Sequence, residues 1–275
     1  MNEKVKVNIG GVQATMLIPL RGRSVMSKRF PELYQNENDI AVCNQLDFDF
    51  TRLDSVLGEY GNLCYVARAR AAEKVIRQYT ARFPDAAVVN IGSGLDTTFQ
   101  QIDNGRIRWY NLDLPDAMAF RKQLVDEPER SYCIAKSVFD YSWFDDIQYK
   151  KDKGLLLVAA GVFHFLPPED LKALFLTVTD RLPGTELFFD VNSTLGNEYS
   201  NRSMKASGNE DAQLKFAVDH PGELENWSTK IRLLSCHVYF EDIPRYQELE
   251  EMTRQYMDMA DSQEMCKFIH LKLGK

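Results

Sequence analysis

The chain is poor in the residues that build disulfide frameworks, metal centres and membrane spans. Its five cysteines, Cys43, Cys64, Cys133, Cys236 and Cys266, are scattered over 275 residues with no C-x-x-C pair. The odd count and wide spacing argue against a disulfide scaffold and a zinc site, so no metal is expected. Histidine is scarcer still, at His164, His220, His237 and His270, which leaves few partners for a catalytic thiol. Positive charge is not in excess: the formal net charge is −7, so a nucleic-acid partner is not expected. No apolar run reaches the roughly 18 residues that a membrane span needs. The opening MNEKVKVNIG lacks the apolar core of a signal peptide. A cytoplasmic protein without a membrane partner is the default expectation.

What is present is an ordinary globular composition, 44% hydrophobic and 27% charged. From about Ser24 to Tyr79 the chain reads as helices with short loops. NLCYVARARAAEKVIRQYTARF places Leu63, Val66, Ala69, Val75, Ile76 and Tyr79 near helical spacing. Beyond Pro84 the character changes to strands alternating with helices. The expected strands are AAVVNIG, IRWYNLDL, YCIAKSV, GLLLVAAGVF and ELFFDVN; the expected helices lie around 97–102, from Pro115, and over 168–182. Prolines and acids mark two helix starts, at 114–116 and 167–170. This alternation predicts an α/β fold with a mostly parallel sheet. After Asn192 the stretch STLGNEYSNRSMKASGNED is polar and predicts a loop. IRLLSCHVYF, a helix from about Pro244 and KFIHLKLG follow, and the last strands predict an addition at the sheet edge.

In such a sheet, ligands bind at the carboxyl ends of the strands. The first strand ends in Gly92-Ser93-Gly94-Leu95-Asp96, where absent side chains let a ligand approach the backbone. The same pattern also serves a tight turn with no ligand. The third glycine of G-x-G-x-x-G is missing, since Thr97 stands there. The second strand ends in Asp113-Leu114, nineteen residues beyond Gly94, where an acid can accept from a ribose diol or cap the following helix. The third ends in Ser137-Val138-Phe139-Asp140, suited to an adenine edge. The fourth offers Ala160 and Gly161, then the aromatic Phe163 and the imidazole of His164. Asp96 would repel a pyrophosphate and attract an ammonium, which favours S-adenosylmethionine over a nicotinamide dinucleotide.

GVQATMLIPL, CYVARARAAEKVI, VVNIGSGLDTTF, WYNLDLP, SVFDYSWFDD and AAGVFHFLPPEDLKALF occur in order. This set resembles the polyketide O-methyltransferase and leucine carboxyl methyltransferase family of S-adenosylmethionine-dependent enzymes, most strongly from residue 11 to residue 190. The resemblance implies a Rossmann-like class I methyltransferase fold with a seven-stranded sheet in one domain, 1–275. It divides into a helical cap at 1–83, a cofactor-binding core at 84–192, and a lid with the C-terminal strands at 193–275. GVFHFL and LDLP lie closer to the polyketide branch; Ala160 stands where the protein-carboxyl branch usually has glutamate. Ser93 and Thr98 replace a common cysteine and arginine.

By the same resemblance Arg68 pairs with the cofactor carboxylate, a role that suits a bidentate guanidinium. Arg70, two residues on, faces another side of the helix. Family analogy also places Arg21, Arg23 and Tyr34 against an acidic substrate, and Phe163 beside it. A carboxylate acceptor needs no base, whereas a hydroxyl acceptor would use one, and His164 is the candidate. The expected activity is O-methylation of a small polyketide-like metabolite, with S-adenosylhomocysteine as product. The alternatives are a protein C-terminal carboxyl methyltransferase, an NAD-dependent oxidoreductase and a silent binding protein.

Overall fold

The computed structural model describes residues 4–7, 12–206 and 213–274. The N-terminal part is helical: α1 (Val12–Arg29), α2 (Glu37–Gln45) and α3 (Thr51–Arg82), with a two-residue parallel pair, β1 (Val5–Lys6) and β2 (Leu46–Asp47). Gly58, at φ 58°, breaks α3 near its start. Alternation then sets in with β3 (Ala87–Ile91), α4 (Phe99–Ile102), β4 (Arg108–Asp113), α5 (Pro115–Arg121), β5 (Ser131–Ala135), β6 (Leu155–Ala159), α6 (Pro168–Arg181) and β7 (Thr185–Asn192). The chain continues through α7 (Thr194–Ala206), β8 (Ile231–Val238), α8 (Glu251–Ser262) and β9 (Cys266–Leu273).

Seven strands form one sheet in the order β5-β4-β3-β6-β7-β9-β8. The first five are parallel, and β9 runs antiparallel between β7 and β8. β3, β6 and β7 are buried along their whole length, as strands covered on both faces must be. Alternate residues feed two cores: Val88, Leu156 and Phe188 meet α3 through Leu63, Val66 and Ile76. Val89, Leu157 and Phe189 meet α6 through Leu171, Leu174 and Phe175. A third apolar cluster joins the helical cap to the core, with Met16, Leu17, Leu20 and Val42 against Leu95 and Phe120. Strand order reverses between β3 and β6, which is the switch point where a crevice opens.

Two expectations are corrected. The polar stretch 193–211 is not a loop through 206: α7 forms there, and 207–211 lie outside the described residues. Its polar side chains are spent on tertiary bonds rather than on local turns. Thr194 donates from N and Oγ1 to Asp219, at 2.7 Å each; Asn197 Nδ2 donates to the Phe216 carbonyl, and Asn201 bonds both N and O of Leu214. The helix expected from Pro244 begins at Glu251, because Arg245 holds the preceding segment irregular through the carbonyls of Phe240 and Ile243.

Candidate cofactor site

The loop after β3 is folded tightly on itself. Gly92 (φ 64°) and Gly94 (φ 45°) take left-handed backbone angles that glycine adopts without strain. Gly92 N–H donates to the Leu112 carbonyl at 2.7 Å, Asp96 N–H to the Ser93 carbonyl at 2.8 Å, and Thr98 N–H to Asp96 at 3.0 Å. Gly94 N–H donates to the Asp113 carboxylate at 2.8 Å, and Leu114 N–H to its other oxygen at 2.7 Å. A phosphate cradle needs free amide donors; these already have acceptors. Asp113 therefore stands fixed at the end of β4, half-buried, with lone pairs left on both oxygens. Burial pushes its carboxyl up, against the two amides and the charge of Arg121.

Asp96 does not project freely. Its carboxylate accepts from Asn90 Nδ2 at 3.2 Å and from Thr98 Oγ1 at 2.9 Å. Beneath the loop Arg121, completely buried, donates to the carbonyls of Gly94 (3.0 Å) and Asp96 (2.7 Å) and pairs with Glu127 at 2.5 Å. A Cβ on Gly92 would lie 2.3 Å from Val162, so this residue lets the turn after β6 close against the loop after β3. Ser93 Oγ is buried without a partner among the described residues, an orphan that a bound ligand can satisfy.

On the far side of the switch point, Arg68 reaches from α3 to the end of β7. Its Nε donates to Asp190 at 2.8 Å, while neither Nη has a protein acceptor among the described residues. The guanidinium lies over Gly161 (φ 79°), where a Cβ would come within 2.5 Å of Nη1. Asp190 is wholly buried and also accepts from Gly161 N–H (2.6 Å), the His164 ring Nε2 (3.1 Å) and Tyr239 Oη (3.3 Å). Burial opposes its charge, but Arg68, His164 and Gly161 hold its carboxyl well below the usual range. His164 is buried too, and its Nδ1 has no partner among the described residues. An acid with open lone pairs, an orphan hydroxyl and a guanidinium with open Nη donors thus stand at the carboxyl ends of adjacent strands. This donor set fits an adenosyl amino acid.

A family model for leucine carboxyl methyltransferase matches residues 43–179. The chain belongs to the leucine carboxyl methyltransferase family. It is an S-adenosylmethionine-dependent methyltransferase, and the nicotinamide alternative falls away. It is 24% identical over 223 residues, 80% of each chain, to the tetracenomycin polyketide synthesis O-methyltransferase TcmP of Streptomyces glaucescens. It is 23% identical over 244 residues, 81% of this chain and 80% of the other, to the S-adenosylmethionine-dependent methyltransferase dpfgK of Gibberella zeae. A solved Thermobifida fusca protein with a provisional methyltransferase name shares its fold at TM-score 0.59, with 13% identity over 92% of this chain and 94% of that one. The class I methyltransferase fold expected from the sequence is the one observed.

The residues of this methyltransferase that sequence reading puts beside the substrate are engaged within the protein. Arg23 and Tyr34 are buried and spend their polar groups on Asp39: both Arg23 donors lie at 2.9 Å, and the tyrosine hydroxyl at 2.9 Å. Arg21 pairs bidentately with Asp54 at 2.7 and 2.6 Å and lies over the Phe50 ring. Phe163 is completely buried, packed on Phe175 and Phe189. Asp140 is exposed and caps its own turn, accepting from Ser142 N–H at 3.1 Å. Val138 and Ser137 are half-buried beside it, and the Val138 carbonyl is taken by Trp143 Nε1. Leu114 is exposed at the crevice end of β4, and Ala160 is half-buried next to Gly161. Arg70 donates to the Leu33 carbonyl, away from the crevice as helical spacing predicts. Sequence reading passed over Asp190, Tyr239 and Arg121. An acid inside the apolar run ELFFDVN was the one available signal.

Proposed function

We propose that the protein transfers a methyl group to an oxygen, carboxylate or hydroxyl, of a small polyketide-like metabolite. The reading is carried by the pairing of Asp113 with a glycine loop whose Gly92 and Gly94 amides already have acceptors, a device that suits a ribose diol better than a phosphate. Similarity to TcmP supports the acceptor class. In this reading Gly92, Ser93, Gly94, Asp113 and Leu114 hold the adenosyl end, Ser137, Val138 and Asp140 flank the base, and Ala160, Gly161 and Arg68 hold the amino-acid end. Asp96 stands beside that end as a fixed negative charge. When bound, S-adenosylmethionine supplies a methyl group on a sulfonium, which needs an aligned nucleophile more than a strong base. The protein's part is therefore to orient the acceptor and exclude water. For a carboxylate acceptor no proton moves; for a hydroxyl, His164 Nδ1 accepts it, with Nε2 on Asp190 fixing the tautomer.

Binding of S-adenosylhomocysteine in calorimetry, with none for NADH, tests the cofactor. Asp113→Ala should weaken that binding by about tenfold or more, the scale of losing charged hydrogen bonds; an unchanged affinity removes the ribose assignment. Radiolabelled methyl transfer to paired phenolic and carboxylic acceptors separates the two acceptor chemistries. His164→Ala should abolish the first and leave the second measurable, lowered only by weaker cofactor binding.

A further inference from the structure

The buried carboxylate of Asp190 gathers four donors from three separate segments: Arg68 on α3, Gly161 and His164 after β6, and Tyr239 after β8. A fully buried acid in the middle of this fold carries a desolvation cost that only good partners offset. The partners here are not a random set. Gly161 and Arg68 are stacked on one another, with the space of a missing side chain filled by the guanidinium. One Asp190 oxygen takes the Gly161 amide and the other takes Arg68 Nε, so a single carboxylate fixes both the turn and the arginine lying on it. With Nε engaged, rotation of the guanidinium is blocked and its Nη edge is the part left for another acceptor.

We propose that Asp190 is a positioning residue for cofactor recognition: it orients the Arg68 guanidinium on the Gly161 turn so that its Nη edge receives the cofactor's carboxylate. This rests on the cofactor reading given above. His164 and Tyr239 complete the device by donating to the same Asp190 oxygen as Arg68 Nε, which holds that oxygen in place beside the guanidinium. The same buried acid connects the residue that grips the cofactor with the imidazole next to the acceptor. Asp190 thereby acts on ligand binding without touching the ligand.

The test compares two ligands that differ in the amino-acid end, whose carboxylate Arg68 is held for. S-adenosylhomocysteine carries the amino-acid end; 5′-methylthioadenosine keeps the adenosyl thioether and lacks the carboxylate. By calorimetry Asp190→Asn should weaken S-adenosylhomocysteine by about tenfold, as loss of a charge-assisted bond implies, and leave 5′-methylthioadenosine within about twofold. Arg68→Ala should show the same selectivity at equal or larger size. Tyr239→Phe, which removes only the 3.3 Å bond, should give a smaller loss with the same selectivity, and it decides the matter if Asp190→Asn does not fold. Equal losses for both ligands, or no loss for S-adenosylhomocysteine, overturn the proposal. Failure of the unaltered protein to bind either ligand overturns the cofactor reading instead.

Discussion

A methyl group added at Gly161 would meet Arg68 Nη1 at 2.5 Å on a backbone held at φ 79°. The arginine tip can move away, so Gly161→Ala should fold, at a strain cost of about 1–3 kcal/mol. The displaced guanidinium should then weaken S-adenosylhomocysteine more than 5′-methylthioadenosine, and paired titrations measure that ratio. This glycine was legible in the sequence as a place for close approach. What approaches it, a side chain from α3 some ninety residues earlier, was not. The reason is general to the site: Gly92 makes room for Val162 and Gly94 for Met16, so the glycines serve packing between distant segments as well as any ligand. Arg23, Tyr34 and Phe163 look available in a linear reading because nothing local reveals Asp39 or the aromatic core that absorbs them.

Among the elements, α5 carries a role out of proportion to its seven residues. Through Arg121 it grips the glycine loop from below, using backbone carbonyls that otherwise have no reason to be held in place. Arg121→Ala leaves Glu127 with its 2.5 Å partner gone and the loop unsupported. A loss of about 3–5 kcal/mol in urea-monitored unfolding is expected, the scale for breaking a buried pair. The strands and their order of appearance were plain from apolar runs and proline-acid helix starts. α7 was not, because serine, asparagine and glycine weaken local helical signals, and only its bonds to Asp219, Leu214 and Phe216 stabilise it.

At the scale of the molecule, one half-buried acid links stability to pH. Burial pushes the Glu73 carboxyl up to about 7; Arg77 and Arg70 oppose this, and the charges of Asp96 and Asp39 add to it. Between the ordinary glutamate value, about 4.3, and 7 the folded chain keeps a proton that the unfolded chain has released. Stability from this group therefore falls as pH rises through that window. Denaturation at pH 5 and pH 8 should show Glu73→Gln gaining relative to the unaltered protein as pH rises; a constant difference would count against the assignment. The seven-stranded sheet has a consequence of another kind. β9 is the last of its strands in the chain and yet lies inside it, between β7 and β8. During synthesis β7 therefore waits with an open edge, and β8 cannot join the sheet, until residue 273 has left the ribosome. The growing chain carries an unfinished sheet from the completion of β7 until β9 is made, and that exposed edge is where a nascent copy would first meet a chaperone or a neighbour.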